Sequence, residues 1–175
     1  LGISDIDLGS EHSQFNQWLK KGYAGDMNYL HRNRNKRLNP ALLVPGTNRI
    51  ISVTMNYLSP KTEPKKALQD NKKGYIARYA LGRDYHKLMR KRLAKLAEKI
   101  SLAIPYQQYR VFADSAPVLE KPVGAKANLG WIGKHTLLLN KSMGSWFFLG
   151  EIFTNAPFPL EGIKMDNSCG KCSAC

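Results

Sequence analysis

The 175 residues are 43% hydrophobic and 10% aromatic, enough to enclose one sizeable core and too apolar for a disordered segment. No repeat or low-complexity tract is present, and the longest apolar stretch, Trp146 to Phe153, is interrupted by Gly150 and Glu151 and too short to cross a bilayer, which argues against solenoid and membrane-spanning classes. The formal charge of +14, from 27 Lys and Arg against 13 Asp and Glu, points to a polyanionic partner or a strongly solvated basic surface.

The segment Ser10 to Lys21 places Phe15, Trp18 and Leu19 on one helical face, with Ser10 as N-cap and Gly22 as the stop. A second short helix is predicted from Gly25 to His31, after which Pro40, Pro45 and Gly46 force a connection into a strand from Arg49 to Met55. Ser59 to Lys73, with Pro60, Pro64 and five lysines, reads as a mobile loop. From Asp84 to Ala103 the apolar Leu88, Met89, Leu93, Leu96, Ala97 and Ile100 recur at three and four residues, the strongest helical signal in the chain.

A strand is predicted from Tyr109 to Ala113, followed by a helix entered through Pro117, whose missing N–H suits a first turn; Pro122 and Gly124 weaken its middle. Beyond Gly130 and Gly133, two strands, Thr136 to Asn140 and Ser145 to Phe153, are joined by Lys141 to Gly144 as a hairpin turn. Strands and helices thus alternate and end in an antiparallel pair, which predicts an α+β fold, a mixed α/β sandwich.

Basic residues concentrate in His31 to Arg37 and in the run Lys87, Arg90, Lys91, Arg92, Lys95 and Lys99 along the predicted helix, where they form either a solvated face or a phosphate-contacting one. All three cysteines fall in the last seven residues as Cys169-x-x-Cys172-x-x-Cys175. An odd number at this spacing cannot staple the preceding chain, and it implies a reducing setting. Two-residue gaps let successive thiolates converge on one iron–sulfur cubane, whereas structural zinc usually pairs two separated knuckles, so iron–sulfur is the favoured reading over zinc. The cubane's fourth ligand would then lie beyond Cys175, and with Leu1 at the start and no terminating turn at the end, the chain reads as a fragment.

Asp114 and Ser115 stand between the predicted strand and helix, where open sheets place reactive groups and where a simple N-cap is the bland alternative. Gly130 and Gly133 would allow close backbone approach to a flat or phosphorylated ligand, although the P-loop pattern is absent and His135 alone carries little weight.

Taken together, MNYL at Met55–Leu58, ARYALGRDYHK at Ala77–Lys87, VFADSAPVLEK at Val111–Lys121, GWIGKHTLLLN at Gly130–Asn140 and GSWFFLGEI at Gly144–Ile152, followed by the cysteine run, resemble the epoxyqueuosine reductase family. The resemblance extends from FNQWLKKGYAGDMNYL at Phe15–Leu30 onward; Pro122, Gly124 and the link between Leu102 and Tyr109 are the main departures. It implies the N-terminal portion of a cytoplasmic, monomeric enzyme. Residues 1–160 would be a cobalamin-binding domain similar to that of reductive dehalogenases and related to the flavin nitroreductase architecture. Residues 161–175 would open a ferredoxin-like domain with two 4Fe-4S clusters, ligated here by Cys169, Cys172 and Cys175, with a helical-repeat tRNA-binding region further on.

The implied reaction is two-electron reduction of the epoxide of epoxyqueuosine in the tRNA anticodon, giving queuosine, with electrons from an external donor. Asp114 matches the family's proton donor, a role that burial would favour by raising its pKa. Arg37, Arg83, Tyr85, His86, Ser115, Gly133, Lys134, His135 and Thr136 are the implied cobalamin contacts. Two alternatives have different signatures: a dehalogenase-like reductase, whose small substrates need no basic surface, and a basic nucleic-acid-binding module with a zinc knuckle.

Overall fold

Two eight-residue strands, β2 (Arg49–Asn56) and β6 (Phe147–Thr154), pair antiparallel in the computed structural model and form the spine of the molecule. The structure describes residues 1–58, 64–160 and 166–173. Short strands β1 (Gly2–Ser4) and β3 (Tyr109–Phe112) extend the spine at its two edges, giving the order β1-β2-β6-β3 with every pairing antiparallel. A separate two-stranded ladder joins β4 (Trp131–Ile132) to β5 (Leu138–Leu139). Mixed α/β is therefore the observed class.

Side chains alternate across the spine because successive residues of a strand point to opposite faces. Ile51 and Ile152 pack on one face against Met89, Leu93 and Ala97 of helix α6 (Tyr85–Ala103). Ile50, Phe112 and Phe153 pack on the other against Val118 and Val123, the latter in helix α7 (Glu120–Lys126). Both faces are covered, which explains why β6 reads as a continuous apolar run. Gly150 admits α6, since a Cβ there would lie 2.9 Å from both Met89 Cγ and Leu93 Cδ1.

The first predicted helix is α1 (Glu11–Lys20), with Gly22 beyond it at φ 73°. Ser10 makes no side-chain cap; it contributes its carbonyl, which accepts from Ser13 and Gln14. Two short helices then replace the single predicted one: α2 (Asn28–Arg32) and α3 (Arg34–Leu38). The proline-rich connection contains a further helix, α4 (Pro40–Leu43), where Pro40 takes the first helical position and the Asn39 side chain caps Ala41. The predicted loop from Ser59 to Lys73 is partly helical, α5 (Pro64–Gln69), while residues 59–63 lie outside the described residues.

Three expectations in the second half are corrected. Pro117 precedes α7 by three residues and sits in a loop, whereas Pro122 occupies the third helical position, where no intrahelical N–H is required. The predicted terminal hairpin does not form as a strand pair. Asn140 and Gly144 close the turn, with the Asn140 side chain accepting from Ser142 and Met143, but β5 leaves to pair with β4 and β6 enters the main sheet.

Candidate functional site

At the end of β3 the chain turns sharply: Asp114 adopts φ 57°, a left-handed conformation that costs most side chains about 1–2 kcal/mol and that aspartate tolerates better than most. Its carboxyl meets a histidine presented by the first turn of α6. Asp84 caps that helix, its Oδ1 accepting the His86 backbone N–H at 2.9 Å and lying 2.6 Å from His86 Nδ1. The other ring nitrogen, Nε2, lies 2.8 Å from Asp114 Oδ2. One imidazole is thus gripped between two carboxylates.

The electrostatics follow from that arrangement. The hydrogen bond to Asp114, and then that to Asp84, raises the His86 pKa, while the His86 hydrogen bonds lower that of Asp84. Tyr85 stacks on Phe148 at 3.6 Å and against His86 at 4.1 Å. Burial, followed by the nearby Asp114, Glu120 and Asp84 carboxylates, pushes its phenol up to about 12, so it stays protonated. Tyr57, Arg78, Tyr79, Leu81, Gly82, Arg83, Tyr85 and Phe148 line a cavity of about 300 Å³ beside this pair.

Behind Asp114 lie two more acids. The Asp114 backbone N–H donates to Glu120 Oε1 at 2.7 Å, and burial pushes the Glu120 pKa up to about 7 against the opposing pull of that N–H, His86 and Arg37. Glu151, on β6, is fully buried with no hydrogen-bond partner on either oxygen among the described residues; burial, then Glu120 and Asp114, holds its pKa well above the ordinary carboxylate range.

The predicted site residues divide into three groups. His86, Asp114 and Ser115 share the exposed rim, with Arg83 and Tyr85 in the adjoining cavity. Asp114 is not buried as expected: its side chain is 58% exposed, with His86 as its hydrogen-bond partner. Nor is it an N-cap, since six residues separate it from Glu120 at the start of α7. Arg37 is turned inward, donating to the Val118 carbonyl at 3.3 Å with its guanidinium 5.8 Å from the Tyr29 ring centroid.

Gly133, Lys134, His135 and Thr136 form the turn between β4 and β5, closed by Thr136 N–H to the Gly133 carbonyl at 2.9 Å. The glycines serve this ladder, because a Cβ at Gly130 would collide with the Leu139 carbonyl and one at Gly133 would approach the side chains of Leu139 and His135. The Lys121 ammonium holds the Thr136 carbonyl at 2.8 Å, tying this turn to α7.

Lys134 reaches the cysteine turn, donating to the carbonyls of Gly170 at 2.9 Å and Cys172 at 2.7 Å. The Trp131 indole N–H lies 3.4 Å from Cys169 Sγ and, with Lys134, lowers that thiol's pKa. Cys172 N–H closes the turn onto the Cys169 carbonyl at 2.8 Å. Cys175 lies outside the described residues. Sequence reasoning overlooked Glu120, Glu151 and Trp131 as participants. Glu151 had a visible signal, a lone acid within the most apolar run of the chain.

Fold and site together define a mixed α/β domain that carries a hydrogen-bonded imidazole–carboxyl pair beside an aromatic cavity, with a cysteine turn docked on the neighbouring ladder. Residues 37–115 match the family model described as epoxyqueuosine reductase QueG, DUF1730. Across 175 aligned residues the chain is 50% identical to an epoxyqueuosine reductase of Pseudomonas aeruginosa and 50% identical to one of Aliivibrio fischeri; all of this chain aligns, with 48% and 47% of theirs. The solved epoxyqueuosine reductase of Streptococcus thermophilus superposes on 98% of this chain and 45% of its own, with a TM-score of 0.83 and 26% identity. A further epoxyqueuosine reductase structure, solved with an epoxyqueuosine-modified tRNA-Tyr stem loop, shares the fold over 98% of this chain and 45% of its own, with a TM-score of 0.81 and 24% identity. Over its whole length this chain is thus similar to epoxyqueuosine reductases. It spans about half the length of the curated relatives it matches.

Proposed function

We propose that the chain carries the catalytic domain of an epoxyqueuosine reductase, acting on epoxyqueuosine in tRNA with cobalamin and electrons relayed by 4Fe-4S clusters. The observation that carries this reading is the Asp84–His86–Asp114 chain at the mouth of the aromatic cavity, within a chain similar to this family. Residues 1–160 form the cofactor-binding unit in this proposal, and 161–175 begin a ferredoxin-like one. The kinship to flavin nitroreductases belongs to the same reading, as does an external electron donor. The chain's similarity to this family and its +14 charge support a tRNA partner.

The residues present fit both cofactors. Tyr79 and Leu81 expose apolar surface in the cavity they line with Tyr85, a face suited to cover by a flat, amide-rimmed macrocycle. A cavity of about 300 Å³ takes only part of such a molecule, so the exposed rim would hold the rest, with Arg83, Tyr85, His86 and Ser115 as contacts. Cys169 and Cys172, turned together with a lowered Cys169 thiol pKa, suit a thiolate-ligated cluster whose other ligands would be Cys175 and a cysteine further on. Bound cobalamin supplies low-valent cobalt as the source of two electrons.

The protein's own contribution is proton management. As the epoxide C–O bond opens, oxygen gains negative charge, and the Asp114 carboxyl delivers its proton to that oxygen. That proton comes from His86 Nε2–H, which donates to Asp114 in the resting pair; the raised pKa of the ring favours its charged form, and Asp84 stabilises and orients the imidazolium through Nδ1. Closure by ligand and tRNA then excludes water from a pair that is open in the chain alone.

Asp114→Asn tests the assignment, because it keeps size and acceptor capacity while removing the transferable proton. In single-turnover reduction of an epoxyqueuosine-containing stem-loop with prereduced cobalamin, the full-length variant should bind both ligands and lose ~10²- to 10⁴-fold in rate. An unchanged rate removes Asp114 from the mechanism.

A further inference from the structure

We propose that Glu120 is the positioning residue of this site: by accepting the Asp114 N–H it holds Asp114 in the left-handed conformation that aims its carboxyl at His86. The catalytic importance of this rests on the reading of Asp114 as the acid; the positioning itself does not.

Asp114 follows the last residues of β3 in a conformation that L-residues avoid, so something must offset the strain. The loop it opens contains short local bonds, Ser115 N–H to Ala113 and Val118 N–H to Ala116, neither of which engages the Asp114 backbone. The bond to Glu120 Oε1 at 2.7 Å does, and it spans six residues to reach a helix. That helix is firmly placed, since Val123 and the following Ala127 are buried in two adjoining clusters of the core. Arg37 fastens the far end of the same loop at the Val118 carbonyl. Glu120 and Arg37 therefore grip the Asp114 loop from both ends.

A half-buried carboxyl is an expensive way to fill this position. Burial and the neighbouring Asp114 raise the Glu120 pKa, and Glu120 in turn raises that of the fully buried Glu151. Stability alone would favour an apolar side chain there. What the carboxyl adds is an oxygen at one defined place, within reach of one N–H.

His86 reports the outcome directly, because its raised pKa depends first on the hydrogen bond its ring donates to Asp114 and then on Asp84. NMR titration of the His86 ring in the full-length protein, assigned with His86→Gln, reads whether Asp114 is in place. Glu120→Gln retains an acceptor at the right reach and should keep the raised midpoint. Glu120→Asp retains the charge but withdraws it by one methylene, and the His86 midpoint should fall toward the ordinary imidazole value. The proposal is overturned if Glu120→Asp leaves the midpoint unchanged, or if Glu120→Gln lowers it equally, which would make charge rather than reach the cause. Should Glu120→Asp fail to fold, amide exchange in the wild-type protein decides: Asp114 N–H should be protected although the residue is exposed, and free exchange overturns the proposal.

Single-turnover rates separate the two levels. Glu120→Asp should react at least ~10-fold more slowly with unchanged tRNA affinity. A lowered His86 midpoint with an unchanged rate upholds the positioning and overturns Asp114 as the acid.

Discussion

His86 is held in place by charge as much as by packing, and this makes the site sensitive to pH. Its folded-state pKa lies above the ordinary value of 6.5 because the charged ring gains two carboxylate partners. The stabilisation is therefore fully present below the unfolded pKa and is lost as pH rises through the folded one. Denaturant melts of wild type and His86→Gln should differ most below the ordinary imidazole midpoint of 6.5 and converge as pH rises through the raised folded one. Glu151 follows the same rule with the opposite consequence for the protein. Its proton is retained on folding, so Glu151→Gln should match wild type in acid and become the more stable form as pH rises above the unfolded carboxyl midpoint. The gap should widen by about 1.4 kcal/mol per pH unit until the folded midpoint is reached. A gap that stays constant from acid to neutral pH would mean that Glu151 is ionised in the native protein.

At the level of elements, α6 shows why periodicity was legible and partners were not. The recurrence of Met89, Leu93 and Ala97 follows from 3.6 residues per turn, and those are the residues that are buried. Leu88, apolar but one position off the stripe, stays 45% exposed. The close approach of α6 to β6 depends on Gly150, so Gly150→Ala should destabilise by about 1–3 kcal/mol in urea titration through forced shifts of Met89 and Leu93. Wild-type stability in that variant would show that the two side chains repack without cost. The short helices α3 and α4 escaped sequence reading because four- and five-residue elements carry too little periodicity to register.

At the scale of the whole molecule, Lys87, Arg90, Lys91, Lys95 and Lys99 are all exposed on α6, whose apolar stripe is committed to the sheet. Reversal by Arg90→Glu, Lys91→Glu and Lys95→Glu should weaken tRNA binding by ~10-fold or more and flatten its salt dependence, leaving cobalamin binding intact. Unchanged affinity would make this a solvated face only. Anaerobic metal analysis of the full-length protein should find iron with sulfide; zinc alone would instead favour the knuckle reading of the cysteine run.

Sequence by itself determined what depends on neighbours along the chain. The α6 stripe, the β2 strand, the tight cysteine spacing and the family motifs are local patterns, and local steric and hydrogen-bonding rules suffice to read them. Tertiary structure alone decided which strands pair, because the turn at Lys141–Gly144 fits a hairpin equally well and only the competing partners β2, β3 and β4 draw β5 and β6 apart. It likewise decided the site. Asp114, His86 and Glu120 lie 28 and 6 residues apart along the chain, and no periodic rule brings an imidazole and a carboxyl 2.8 Å apart across that span. Their meeting depends on α6 packing against the sheet of which β3 is an edge strand, a consequence of burying the apolar surface of α6 and not of the charged groups it aligns.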